Sequence, residues 1–121
     1  MASIADNLLT VRQRIDAACV AAGRAPSSVR LLAVSKTFGA QEVVAAHAAG
    51  QCAFGENYIQ EGIEKIEALS PQVFTPPLFP DLEWHCIGPI QSNKTKGVAQ
   101  HFDWVQSLDR LKIAQRLNEQ R

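Results

Sequence analysis

Ile4, Leu8, Val11, Ile15, Cys19 and Ala22 recur at steps of three and four along the first segment, the apolar stripe of an amphipathic helix. Ser3 stands where a side chain can cap that helix, and Gly23 where the chain can leave it. The pattern then changes. After a loop over Arg24 to Ser28, the run Val29-Arg30-Leu31-Leu32-Ala33-Val34-Ser35-Lys36 is short and nearly all apolar, as expected of a strand covered on both faces in a parallel sheet. Residues 40 to 49 read as a second helix stopped by Gly50, and Cys52-Ala53-Phe54-Gly55 as a brief second strand.

A further helix is predicted from about Asn57, with Ile59, Ile63 and Ile66 on one face and Asn57 with Gln60 at capping-box spacing; it should stop at Ser70-Pro71. Four of the six prolines fall between residues 70 and 82, which excludes a regular helix or a central strand there and predicts a long loop. A third strand over Glu83 to Ile87 ends at Gly88-Pro89, and Ser92 opens a short helix. Asp103 to Ser107 reads as a fourth strand. Leu108 to Arg121 reads as a last helix with Leu111, Ala114 and Leu117 in register. The sum is four βα units behind one leading helix, an α/β chain with a parallel sheet. Two architectures remain open: a doubly wound sheet, or part of a (β/α)8 barrel of the TIM type, of which four units are half, since a full barrel takes about 250 residues.

Composition narrows the field. The 121 residues are 46% hydrophobic and 20% charged, which fits one globular unit spanning 1–121. Twelve basic and twelve acidic residues cancel without a cationic cluster, which argues against nucleic acid or an anionic membrane as a partner. With no apolar run of bilayer length and no basic and apolar leader at the N-terminus, the expected location is the cytoplasm. Cys19, Cys52 and Cys86 are odd in number and far apart, with no CxxC pair, so the expectation is three reduced thiols and neither a disulfide framework nor a metal site. His47 and His101 lack a ligand partner three or four residues away and read as structural or surface residues.

Three places could carry chemistry. Lys36 closes the first strand, and strand ends of this kind hold the sites of α/β proteins. A lysine there can reach solvent with no further role; alternatively, burial would disfavour its charged form and leave a nucleophilic amine able to attack an aldehyde. In Phe54-Gly55-Glu56-Asn57-Tyr58, Asn57 can cap the following helix, contact a ligand, or do both, while Glu56 reads as a solvated carboxylate near a helix N-terminus. In Trp84-His85-Cys86-Ile87-Gly88-Pro89-Ile90-Gln91-Ser92-Asn93-Lys94, His85 shares a strand face with Ile87. On its own it is better read as a satisfied core histidine than as a cofactor contact. Ser92 and Asn93 could bind an anion at a helix start or cap it. Nothing matches GxGxxG, Walker A or GxSxG patterns.

Leu32 to Thr37, Phe54 to Glu61 and Trp84 to Lys94 together resemble, in order and spacing, the motifs of the pyridoxal 5'-phosphate (PLP) homeostasis proteins, whose barrel is like the N-terminal domain of alanine racemase. The resemblance runs from Ser3 to the last residue. It implies the N-terminal half of a fold-type III PLP barrel, with Lys36 holding PLP as a Schiff base and Asn57, His85, Ser92 and Asn93 at or near the pocket. It implies a carrier that buffers PLP or delivers it, apo PLP-dependent enzymes being the recipients, rather than an enzyme with turnover. The family's phosphate-binding groups lie in the other half, and the Pro71 to Pro80 stretch is longer than the family's usual link at the far end of the strands. A PLP-dependent amino-acid racemase is the runner-up; a second alternative is a cofactor-free half-barrel serving as a scaffold. A chain of this truncated kind should bind PLP weakly and self-associate through its sheet edges.

Overall fold

The computed structural model describes residues 3–69 and 79–121. Helix α1 (Ile4–Ala21) begins as its sequence dictates: the Ser3 side chain accepts from the Asp6 N–H at 3.1 Å, and the Asp6 carboxylate accepts from the Ser3 N–H at 3.2 Å. This reciprocal cap satisfies two donors that the helix leaves open. Gly23 and Gly50, at φ +72° and +95°, let the chain turn out of α1 and of α2 (Ala40–Ala48). Arg12 ties the two helices together, donating to the Ala49 carbonyl at 3.1 Å and to Gln51 Oε1 at 3.0 Å.

Strands β1 (Ala33–Val34), β2 (Ala53–Glu56), β3 (Glu83–Cys86) and β4 (Trp104–Val105) form one parallel sheet in the order β1-β2-β3-β4. That sequential order decides between the two architectures left open above. A doubly wound sheet reverses its strand order at a switch point, whereas strands that succeed one another without reversal are those of a (β/α)8 barrel. Helices α3 (Ile59–Leu69), α4 (Thr95–His101) and α5 (Leu111–Gln120) complete the units, α4 being preceded by a single 3-10 turn over Ser92–Lys94.

The two faces of the sheet differ. Phe54, Glu56, Trp84 and Cys86 point to the helices and are buried; the Phe54 and Trp84 rings lie 5.7 Å apart, within the range at which aromatic pairs attract. Val43, Ile59, Ile66, Val98, Phe102 and Ile113 pack onto this face from the helices. The opposite face, carrying Val34, Gly55, His85 and Trp104 in one row by register, corresponds to a barrel interior and is open: Val34 and Trp104 are exposed.

Several expectations change. The first and fourth strands are two residues long rather than eight and five, because each pairs on one side only and ladder length follows the partner. Helix α3 starts at Ile59, two residues after Asn57, whose side chain makes no capping hydrogen bond among the described residues. In α5 the buried anchor is Ile113, while Leu111 is 75% exposed. His101 closes α4. Of the proline-rich stretch, residues 70–78 and with them the predicted stop of α3 lie outside the described residues; Phe79 to Leu82 lead into the N-terminal end of β3.

Candidate functional site

Lys36 follows β1 by two residues, and strand alternation puts it on the face of Val34, the open face. Its side chain is exposed, so the burial anticipated for its amine is not present. The backbone on either side is fixed nevertheless. Ser35 is buried; its N–H donates to the Gly55 carbonyl at 3.0 Å and its hydroxyl to Glu56 Oε2 at 2.8 Å. Thr37 has φ +66°, a left-handed conformation that costs a β-branched residue about 1–3 kcal/mol and that only a surrounding scaffold maintains. Here that scaffold is Glu61, whose carboxylate accepts from the Thr37 N–H at 2.6 Å.

Both anchors converge on Lys65. Its ammonium lies 2.6 Å from the Ser35 carbonyl, 2.8 Å from Glu56 Oε1 and 3.1 Å from Glu61 Oε1, so three donors meet three acceptors. Glu56 is 1% exposed, and Oε1 has the Lys65 ammonium as its one close partner. Glu56 is therefore a buried, paired carboxylate and not the solvated one its position suggested. The Lys65 hydrogen bond holds the Glu61 carboxyl below the usual glutamate range, against a smaller opposing effect of burial.

His85 lies in the middle of the open face and is itself buried. Its Nδ1 is 3.0 Å from the Gln106 amide nitrogen and its Nε2 is 2.7 Å from Glu83 Oε1, while its ring stacks on Trp104 at 5.9 Å between centroids. Gln106 thus faces Nδ1 and Glu83 faces Nε2, so each ring nitrogen has a protein partner. The hydrogen bond from His85, and secondarily that from Arg30, keeps the Glu83 carboxyl below its usual range. The satisfied histidine expected from sequence is what is found, with both ring nitrogens engaged by protein.

At the same end of the sheet, Gly88 crosses the backbone of Asn57 so closely that a Cβ there would overlap the Asn57 carbonyl. Ser107 donates to the Gly88 carbonyl at 2.5 Å. Asn57 is half-buried, Ser92 half-buried and Asn93 exposed; neither Ser92 nor Asn93 caps the turn it opens, the cap position being Gln91. The fold thus brings Lys36, Asn57 and the Gly88 loop to the C-terminal ends of adjacent strands. Lys65 and Glu61 were missed from sequence, although a lysine on the buried stripe of α3 between Gly62 and Ile66 is itself a sign of an acidic partner.

No family model matches the chain. The pyridoxal phosphate homeostasis protein of Haemophilus influenzae is 54% identical over 119 residues, covering 98% of this chain and 48% of that protein. The protein of the same name from Escherichia coli K12 is 52% identical over 121 residues, covering all of this chain and 50% of that one. Among solved structures, PipY of Synechococcus elongatus with PLP bound aligns at TM-score 0.76 and 39% identity, over 97% of this chain and 47% of its own. The chain spans about half the length of the curated relatives it matches.

Proposed function

We propose, from the premise that this chain belongs with the pyridoxal phosphate homeostasis proteins and spans about half of one, that it contributes the cofactor-holding lysine of a PLP carrier. The observation that carries the reading is Lys36: an accessible primary amine at the end of a barrel strand, on the open face, with the backbone before it tied by the buried hydrogen bonds of Ser35 and the backbone after it by the Thr37 N–H to Glu61. The donor set fits the aldehyde end of PLP. When bound, PLP supplies an aldehyde that a lysine amine captures reversibly. Lys36 would hold the cofactor there as a Schiff base. Asn57, at the neighbouring strand end, offers an amide donor and acceptor, and His85 offers its ring as a wall, since both nitrogens are committed. Ser92 and Asn93 stand at the first 3-10 turn beyond β3, where a polar substituent of the ligand could be met.

Carriage fits these residues better than racemisation. A racemase needs two opposed acid/base groups, and the only tyrosine, Tyr58, is exposed just before α3. Delivery to apo PLP-dependent enzymes, a cytoplasmic location and self-association of the 121-residue chain complete the proposal. No helix among the described residues is long and apolar enough to cross a membrane. Borohydride reduction in the presence of PLP, followed by peptide mapping, tests the central point: the pyridoxyl group should appear on Lys36. A label on Lys94 or Lys96 in its place refutes the assignment.

A further inference from the structure

Away from Lys36, at the N-terminal ends of the strands, three side chains from three separate segments converge. His47 is in the last turn of α2, Cys52 immediately precedes β2, and Asp81 lies two residues ahead of β3. Their ligand atoms all lie within 4.8 Å of one another: His47 Nε2 is 2.8 Å from Asp81 Oδ1, and Cys52 Sγ is 3.2 Å from Asp81 Oδ2. Asp81 stands 34 residues from His47 and 29 from Cys52, so no local spacing motif announces the group.

This is not a nucleophile with its base. Asp81 sits between thiol and imidazole, so the Cys52 thiol meets the carboxylate and not the His47 nitrogen that would have to take its proton. We propose instead that His47, Cys52 and Asp81 form a binding site for a divalent transition metal of the zinc class. One imidazole nitrogen, one sulfur and one carboxylate oxygen are a borderline-soft donor set that selects zinc or cobalt over calcium or magnesium, which take oxygen ligands. Tetrahedral ligation with bonds of about 2.0–2.3 Å places donor atoms roughly 3.3–3.6 Å apart. The two contacts to Asp81, at 2.8 and 3.2 Å, are a little shorter than that and all three ligand atoms lie within 4.8 Å, so small side-chain rotations close the site. Charge balances as well, because a thiolate and a carboxylate neutralise a 2+ ion.

Binding replaces the two hydrogen bonds to Asp81 by metal bonds. The Cys52 S–H proton leaves to solvent, and the imidazole offers Nε2 with its proton on Nδ1. Phe79 stands edge-on to the His47 ring at 5.2 Å and limits its rotation. Asp81 is more than half exposed, which leaves the fourth coordination position open to water or a small anion. A metal here would clamp the α2–β2 junction to the entry of β3, at the end of the sheet away from Lys36 and independently of PLP.

Cobalt titration of the reduced, metal-free 121-residue chain is the test. One equivalent of Co2+ should produce the visible bands of a tetrahedral ion together with a sulfur-to-cobalt charge-transfer band, and Zn2+ should bleach both. Cys52→Ser should abolish the charge-transfer band, whereas Cys19→Ser and Cys86→Ser should keep it. His47→Gln and Asp81→Asn should weaken binding by about tenfold or more, with circular dichroism confirming that each variant folds. Absence of the charge-transfer band in the unsubstituted chain, or its survival in folded Cys52→Ser, overturns the proposal.

Discussion

Replacing Lys65 by methionine isolates the contribution of the buried ion pair behind Lys36. The substitution keeps an unbranched side chain in α3 and removes the ammonium, leaving the Glu56 carboxylate 1% exposed with Ser35 Oγ at 2.8 Å as its remaining partner. Breaking a buried pair by deleting one member costs about 3–5 kcal/mol, because the other charge stays desolvated without compensation. Glu61, which also loses the ammonium, adds repulsion. Against a typical stability of about 5–15 kcal/mol, Lys65→Met alone removes about a fifth or more. The paired variant Glu56→Leu with Lys65→Met behaves differently, since apolar replacement of both members is often near neutral. The Ser35 carbonyl would not be orphaned in either, as it also accepts from the Phe38 N–H at 3.1 Å. Urea denaturation with linear extrapolation gives each ΔΔG, and the double-mutant cycle gives the coupling. The reasoning predicts a large cost for Lys65→Met, most of it regained in the double variant. A single-variant cost below about 1 kcal/mol, or a double-variant cost equal to the sum of the singles, would show that the pair is not the energetic unit described.

Stability of the chain should fall as pH drops through the acid range. Glu61 and Glu83 are held below the usual glutamate value by hydrogen bonds from Lys65 and His85, so their contribution is complete above the unfolded value of about 4.3 and is lost as pH falls through their lower folded values. Urea midpoints measured from pH 7 to pH 3 should decline less steeply for Glu83→Gln than for the unsubstituted chain; identical slopes would remove Glu83 from the account. The 121-residue chain alone should self-associate at micromolar concentration, because Val34 and Trp104 on the open face and the two edge strands are left uncovered. Sedimentation showing a well-folded monomer with concentration-independent unfolding contradicts this.

What the sequence made legible was local. Ser3 caps α1, and Gly23 and Gly50 end helices, because each needs only neighbours a few residues away. The length of β1 was overestimated because an apolar run reports burial and not the presence of a ladder partner, and β4 likewise keeps only the two residues that pair with β3. The choice of Leu111 over Ile113 failed for a related reason: the face that α5 buries is set by α4, against which it packs, and periodicity within α5 does not register that. Glu56 was misjudged because its partner lies a full turn and more into the next helix, where Lys65 occupies a position that apolar spacing assigns to the core. His47, Cys52 and Asp81 could not be grouped at all without the loop geometry that brings them together.

The asymmetry of the sheet bears on why the candidate site takes the form it does. Facing the helices, Ser35, Glu56 and Lys65 pair with one another, and through the Ser35 carbonyl and the contact of Glu61 with Thr37 they tie down the backbone that carries Lys36. On the open face, His85 is likewise spent on Glu83 and Gln106. Among the described residues, the side chains of Lys36 and Asn57 at the ends of β1 and β2 make no hydrogen bond to protein. A scaffold that commits its buried charges to holding a backbone segment, and leaves that segment's amine uncommitted, restricts the main-chain orientations from which the amine can meet a ligand. The strained φ of Thr37 is consistent with that restriction, because an unrestrained loop would relax it.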